Sequence, residues 1–187
     1  PVAVVMSTSF TQRGEIAITD KFTRAKSALL GGADIVIELP VAYAVSNAEV
    51  FAKSGVKILS SFSRLTHLAF GCENSDIELL KQTADAHKNT AVQSLVAKEM
   101  QNGSYYPKAI ESAVRAIYGD KTAEILATPN NVLAVEYLKA LPSNISPLPI
   151  RREGVEHDSE NTENGFASAS YIREQLKQGK NIAEFAP

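Results

Sequence analysis

Two adjacent arginines, Arg151 and Arg152, are the side chains in this sequence best suited to bind phosphate. They directly follow a short apolar run at residues 148–150 that predicts a β-strand. Neighbouring guanidinium groups hold phosphate oxygens through paired N–H donors, and ligands of parallel sheets bind beyond the carboxyl ends of the strands. We therefore expect an anionic ligand next to this strand. Arginines on solvent-exposed loops are also common, so the pair alone does not decide the matter.

A second candidate anion site lies near the C-terminal end, at Ser168, Ser170 and Arg173. Ser170 is a good N-cap for the last predicted helix, which ends before Gly179. Hydroxyls and free backbone N–H groups at a helix start form a ready anion site, and Arg173 follows one turn later. An ordinary capped amphipathic helix explains the same residues equally well, so both interpretations stay open here.

Asn130 and Gly71 are candidates for contacts with the uncharged parts of a ligand. Asn131 can cap a helix predicted over residues 132–141, and a second asparagine directly before that cap is more than capping requires. A side-chain amide carries both a donor and an acceptor, so Asn130 can bind the edge of a base. Gly71 follows a strand predicted over residues 67–70, where glycine permits close approach of the backbone to a ligand or forms a plain turn.

Four polar residues near the N-terminal end are further possible anion contacts. Gln12 and Arg13 precede Gly14 in a loop after the first predicted strand. Lys21 and Arg24 share one face of the first turns of a predicted helix, where positive charge opposes the helix dipole. That arrangement is a mild indication of a bound anion, although a solvated basic surface explains it as well.

The elements that must position these residues form a βαβ unit at the start of the chain. Residues 2–6 form an apolar run and residues 35–39 form another, interrupted only by Glu38. Such runs are typical of strands buried on both faces, and Asp20 caps a helix over residues 20–30 between them. The helix should bury a stripe of apolar residues. That stripe consists of Phe22, Ala25 and Leu29. Such a unit predicts parallel strands, a Rossmann-like α/β sheet and a ligand site at the carboxyl edge.

The middle of the chain predicts consecutive helices without an intervening strand. We expect this α-rich insertion over about residues 75–127 of a single domain, 1–187, with Ser75 or Asn74 capping its first helix. Within the preceding strand, we interpret His67 as a packed core histidine. We interpret Cys72 as a buried structural thiol, because no catalytic partner for it is evident.

Composition excludes several classes of protein. The 187 residues carry a formal net charge of -2, which gives no overall electrostatic footprint for nucleic acid. A single cysteine fits a reducing compartment, so we expect a cytoplasmic protein, and no apolar run is long enough to cross a membrane. Phosphate-loop and glycine-rich dinucleotide motifs are absent, and neither a zinc site nor a serine protease triad is indicated, so we expect no protein-bound metal.

Five blocks of sequence resemble the bacterial tRNA(Met) cytidine acetate ligases, which belong to the nucleotidylyltransferase superfamily with an H-x-G-H motif. The first block is MSTSFTQRGEIAITDKFTRAKSALLGGADIVIELPVAYAVSNAEVFA. The others are FGCENSDI, TPNNVLAVEYLKAL, PIRREGVEHD and ASASYIR, in the same order and spacing as in the family.

The resemblance implies a Rossmann-like domain that binds ATP, activates acetate as acetyl-adenylate and acetylates the wobble cytidine of elongator tRNA(Met). It implies ATP contacts by Gly71 and Asn130, and by Arg151 or Arg152. It also implies phosphate contacts by Ser168, Ser170 and Arg173. Mg²⁺ is expected with the ATP phosphates.

The family's N-P-F-H-N-G-H segment would precede Pro1, and its histidines would stabilise charge on the reacting phosphates. We therefore expect residues 1–187 alone to be inactive, and we expect most of the affinity for tRNA to lie in the family's C-terminal region. Two alternatives remain: nucleotidyl transfer to a small metabolite phosphate, and a non-catalytic module that binds nucleotide or RNA.

Overall fold

The structure, a computed structural model, describes residues 1–152 and 169–182. The strands are β1 (Ala3–Ser7), β2 (Ile35–Leu39), β3 (His67–Cys72) and β4 (Ser146–Arg151). The first helices are α1 (Lys21–Leu30), α2 (Val41–Ala44), α3 (Ala48–Leu59), α4 (Ile77–Ala86) and α5 (Thr90–Gln101). They are followed by α6 (Tyr106–Tyr118), α7 (Asp120–Glu124), a 3-10 turn (Ile125–Ala127), α8 (Pro129–Ala140) and α9 (Ala169–Lys177). Contacts divide the chain into a first unit, Pro1–Arg151, and a second unit that begins at Arg152 and contains α9.

The predicted βαβ unit is confirmed in the first unit. β1 and β2 pair in parallel, from Ala3 opposite Ile35 to Ser7 opposite Leu39. The Asp20 carboxylate caps α1 by accepting the backbone N–H groups of Phe22 at 2.8 Å and Thr23 at 3.1 Å. Thus an acidic N-cap fixes the start of the crossover helix, as local sequence indicates.

Burial of this βαβ unit differs from the prediction. β1 is half-buried at every position, and in β2 the side chain of Ile35 is 44% exposed. α1 has no buried residue, and Phe22 of the predicted stripe is 76% exposed. The prediction of full burial was wrong because, within the described residues, α1 packs chiefly against β2 and little else covers its apolar stripe.

β3 and β4 form a second parallel pair, from His67 opposite Ser146 to Cys72 opposite Arg151. In the described part of the chain this pair does not hydrogen-bond with β1–β2, whereas the sequence predicted one continuous sheet. Periodicity identifies strands but does not say which strands are neighbours, and this explains the difference.

Alternation along β3 decides which of its residues face the core. Leu68, Phe70 and Cys72 are buried, whereas His67 and Gly71 lie on the exposed face. The interpretation of His67 as a core histidine was therefore wrong. Its Nδ1 lies 2.9 Å from the hydroxyl oxygen of Thr66 on the exposed side of the strand. Cys72 is fully buried, as predicted.

The chain between β3 and β4 is helical from α4 to α8. One core cluster joins β3 to α4 and α8 through Phe70, Leu80 and Val135, and a second lies between α5 and α6 around Val96 and Ile110. α4 is capped by Asp76, which accepts N–H groups at 3.1 and 3.2 Å. The prediction of Ser75 or Asn74 as the cap was wrong because Asn74 bonds the backbone N–H of Asp76 instead.

Candidate nucleotide-binding site

Gly71 and Arg151 lie at the same edge of the β3–β4 pair. Gly71 is opposite Ile150, and Arg151 is opposite Cys72 at the carboxyl ends of both strands. Gly71 lies within β3, and not after the strand as predicted. It is exposed, and a residue without a side chain permits close approach of a ligand to the backbone. Arg151 is exposed, and within the described residues its guanidinium forms no ion pair or hydrogen bond.

The start of α8 is attached to this same edge by the carboxylate of Glu73. Its Oε1 accepts the side-chain Nδ2–H of Asn130 at 2.6 Å and the backbone N–H of Asn130 at 3.3 Å. Its Oε2 accepts the backbone N–H of Asn131 at 2.8 Å. Thus Asn130 is brought beside the end of β3, and three of the predicted site residues, Gly71, Asn130 and Arg151, belong to adjoining elements.

Asn131, at the start of α8, in turn binds the backbone of the segment that follows β3. Its Oδ1 accepts the backbone N–H groups of Glu73 and Asn74, both at 2.9 Å, and its side chain is buried. The prediction that Asn131 caps α8 was wrong, because the helix begins earlier, at Pro129. The capping acceptor is instead Glu73, which directly follows β3.

The Glu73 carboxylate is ionised at neutral pH. Burial is the largest single influence on the pKa of this carboxyl and raises it, but hydrogen bonds from the Asn130 side chain and from backbone N–H groups outweigh burial. The pKa therefore lies below the usual value for glutamate. A fixed negative charge thus lies at the N-terminus of α8.

Cys72 is a structural thiol. Its Sγ donates a hydrogen bond of 3.6 Å to the carbonyl oxygen of Ile150 on the paired strand. Burial, and secondly the charge of Glu73, raise the pKa of the thiol. Cys72 is therefore unsuited to nucleophilic chemistry.

The possible anion contacts near β1 are partly occupied by groups of the protein. Nη1 of Arg24 donates to the carbonyl oxygens of Ser7, at 3.0 Å, and Thr8. Lys21 forms an ion pair of 2.8 Å with Glu38.

Gln12 and Arg13 are the other two predicted anion contacts near the N-terminal end. Gln12 donates to the carbonyl oxygen of Ser46 at 3.0 Å, whereas Arg13 is exposed and has no partner among residues 1–152 and 169–182. A cavity of about 190 Å³ at the carboxyl ends of β1 and β2 is bordered by Ser7, Lys21 and Glu38. Whether these residues contact an anion stays a prediction.

The C-terminal anion site is described only in part. Ser168 lies outside the described residues, and Ser170 and Arg173 belong to α9 in the second unit. Arg152 follows β4 directly and begins that unit. The phosphate contacts proposed for these four residues remain predictions.

Within the described ranges no cluster of three or more histidine, cysteine or acidic side chains could hold a metal ion.

Glu73 and Asn131 are the residues of this site that sequence reasoning missed. Glu73 stood inside the quoted block FGCENSDI, and Asn131 inside TPNNVLAVEYLKAL. An acidic residue directly after a strand and an asparagine pair at a helix start were the available signals. Neither pattern says that the two residues bind each other.

Comparison with known families decides the class of this fold. The family model described as HIGH Nucleotidyl Transferase matches residues 1–187. The chain belongs to the HIGH Nucleotidyl Transferase family. The predicted fold, an α/β nucleotidylyltransferase type with parallel strands, is confirmed by this match.

Solved structures of this HIGH Nucleotidyl Transferase fold include TmcAL of Thermotoga maritima. Its apo form has a TM-score of 0.87 at 34% identity over 95% of this chain and 44% of that one. The form bound with alpha-thio ATP has a TM-score of 0.83 at 33% identity over 95% of this chain and 43% of that one. The similarity thus extends to a protein whose structure contains an ATP analogue.

Curated relatives of this HIGH Nucleotidyl Transferase chain include proteins named tRNA(Met) cytidine acetate ligase. The relative from Caldanaerobacter subterraneus is 42% identical over 100% of this chain and 48% of its own length. The relative from Acetivibrio thermocellus is 39% identical over 97% of this chain and 46% of its own length. The chain therefore spans about half the length of the curated relatives it matches.

Proposed function

We propose that this chain is the nucleotide-binding part of an ATP-dependent ligase that acetylates the wobble cytidine of elongator tRNA(Met). The observation that carries the proposal is the similarity to tRNA(Met) cytidine acetate ligases along the whole chain. In the proposed reaction an acetate oxygen attacks the α-phosphorus of ATP, and pyrophosphate leaves. The amine of the cytidine then attacks the acetyl carbon of acetyl-adenylate and releases AMP.

The first unit supplies three proposed ATP contacts. Gly71 offers exposed backbone, Arg151 offers a guanidinium that no described residue pairs with, and Asn130 offers an amide held at the end of β3. This set fits a nucleotide, because a nucleotide needs a positive group for phosphate and polar groups for its base. Arg152, Ser168, Ser170 and Arg173 are proposed as further phosphate contacts.

Other features of the proposal follow from the chemistry of the substrates. Mg²⁺ is expected with the ATP phosphates. Gln12, Arg13, Lys21 and Arg24 are proposed as contacts for a second anionic group, acetate or tRNA phosphate. A substrate tRNA implies the cytoplasm. In the part of the chain that the structure describes, no helix is long and apolar enough to traverse a bilayer.

The decisive experiment measures pyrophosphate released by the full-length gene product with ATP, Mg²⁺, acetate and elongator tRNA(Met). We expect release that depends on acetate, and an acetyl group on the wobble cytidine in mass spectrometry of the tRNA. The matched control is the same tRNA with uridine at the wobble position, which should gain no acetyl group. Absence of acetate-dependent release would overturn the proposal, and a CDP-linked or dinucleotide product would favour nucleotidyl transfer to a small metabolite.

A further inference from the structure

The N-terminus of α8 already holds an anion that belongs to the protein. The first backbone N–H groups of a helix have no partner within the helix and attract negative charge. In α8, the N–H groups of Asn130 and Asn131 are taken by the Glu73 carboxylate at 3.3 and 2.8 Å. A phosphate cannot replace this carboxylate without leaving Glu73 unpaired, and it would be repelled by the remaining charge. The α8 side of the site therefore suits an uncharged part of a ligand.

The positive end of the same edge is Arg151. It lies at the carboxyl end of β4, opposite Cys72 and thus beside the strand that leads into Glu73. Its guanidinium is exposed and forms no ion pair within the described residues. A nucleotide at this edge would lower its electrostatic energy by directing phosphates towards Arg151 and its base towards Asn130.

Glu73 also fixes which way the Asn130 amide faces. An ionised carboxylate only accepts hydrogen bonds, so the group 2.6 Å from Oε1 must be the amide nitrogen of Asn130. The amide oxygen then faces away from Glu73, and it accepts no hydrogen bond from any described residue. A flipped amide would bring two oxygens together without a proton between them. Asn130 is therefore held with its acceptor oxygen turned away from Glu73 and open to a hydrogen bond from a ligand.

We propose that Glu73 is a positioning residue that makes Asn130 select a base with an exocyclic amine, adenine, over one with a carbonyl at the same position. An asparagine amide pairs with adenine by accepting from the 6-amino group through its oxygen, while its remaining N–H donates to a ring nitrogen. Against hypoxanthine or guanine the same oxygen meets a carbonyl oxygen, and the pairing is lost. This inference rests on the proposed use of ATP and adds how the base is chosen.

The test compares binding of ATP and ITP, which differ at this position of the purine, by calorimetry with the full-length protein. We expect wild type to bind ATP at least about tenfold more tightly than ITP, the loss usual for one good hydrogen bond. The E73Q variant can both donate and accept, so the Asn130 amide can turn and the preference should fall about fivefold or more. N130A should weaken ATP binding about tenfold while leaving ITP binding within about twofold of wild type.

The matched control is E78Q, which removes an exposed carboxylate whose described partner is Lys81 on the same helix. It should keep the wild-type ratio of ATP to ITP affinity. A ratio unchanged in either E73Q or N130A would overturn the inference, and so would equal binding of ATP and ITP by wild type. If E73Q does not fold, a crystal structure of the wild-type protein with ATP decides. The Asn130 amide oxygen should lie within hydrogen-bond distance of the 6-amino group, with its nitrogen on Glu73, and any other orientation of this amide would overturn the inference.

The two proposals fail in different ways. ATP selectivity that depends on Glu73, without acetate-dependent pyrophosphate release, would overturn the proposed activity and leave the inference intact. Acetate-dependent release of pyrophosphate by a protein that binds ATP and ITP equally would support the proposed activity and overturn the inference about Glu73.

Discussion

Glu73 and Asn131 bind each other's backbone. The Glu73 carboxylate accepts the N–H of Asn131 at 2.8 Å, and the Asn131 amide oxygen accepts the N–H of Glu73 at 2.9 Å. The two residues are 58 positions apart in the chain, so this reciprocal pair joins the end of β3 to the start of α8. It also fixes the position of Asn130 relative to Gly71 and Arg151. The candidate site therefore depends on a contact that involves none of its proposed ligand-binding groups directly.

Replacing Asn131 by alanine should destabilise the protein substantially. The substitution leaves the half-buried backbone N–H groups of Glu73 and Asn74 without their acceptor. We expect the free energy of unfolding to fall by about 1–3 kcal/mol, the cost of leaving two half-buried donors unsatisfied. Chemical denaturation of the full-length protein measures it. N102A is the control, because Asn102 is exposed at the end of α5, and a loss there equal to that of N131A would contradict the prediction.

Replacing Arg151 by alanine should weaken binding of ATP but not of adenosine. If Arg151 contacts phosphate, its removal costs charge-assisted hydrogen bonds, which corresponds to about a tenfold to hundredfold loss of affinity. Adenosine has no phosphate, so its affinity should change less than about twofold. Calorimetry at two salt concentrations checks both statements. R64A removes another exposed arginine, one that precedes β3, and should bind ATP like wild type.

The buried His87 should make the protein less stable in mild acid. Burial, and secondly the charge of Lys139, lower the pKa of this imidazole from 6.5 to about 4, and neither ring nitrogen has a hydrogen-bond partner among the residues that the structure describes. The unfolded chain therefore takes up a proton that the folded chain refuses. Stability is fully present above pH 6.5 and is lost as the pH falls towards 4.

The size of this effect is about 1–3 kcal/mol between pH 7 and pH 4.5. In H87L that part of the pH dependence should disappear, since leucine has no proton to bind. H67L is the matched control, because His67 is exposed, and its pH dependence should follow wild type. An unfolding profile of H87L that parallels wild type through this range would refute the assignment.

Cys72 should react slowly with thiol reagents in the folded protein. The thiol is fully buried, donates to the carbonyl oxygen of Ile150, and has a pKa raised by burial and by Glu73. Because the thiolate is the reactive form, we expect modification by a chromogenic disulfide to be at least about 100-fold slower than in denaturant. Comparable rates in the two conditions would show that the end of β3 opens readily.

The sequence by itself determined the features that depend on neighbours in the chain. The Asp20 cap, the extent of β2 (Ile35–Leu39) and the parallel βαβ unit followed from local residue types and spacing. Each arises from hydrogen bonds or apolar patterning within one or two elements, so local sequence carries the information. The ordered blocks also indicated the family to which the chain belongs.

Tertiary structure decided which groups meet at the candidate site. It placed His67 on the exposed face, left Phe22 of α1 exposed, and gave the capping of α8 to Glu73 in place of Asn131. These outcomes depend on which elements pack together and on hydrogen bonds between residues distant in sequence. A helix N-terminus accepts any suitably placed oxygen, whether from its own cap or from another element, and only the folded chain brings the Glu73 carboxylate there.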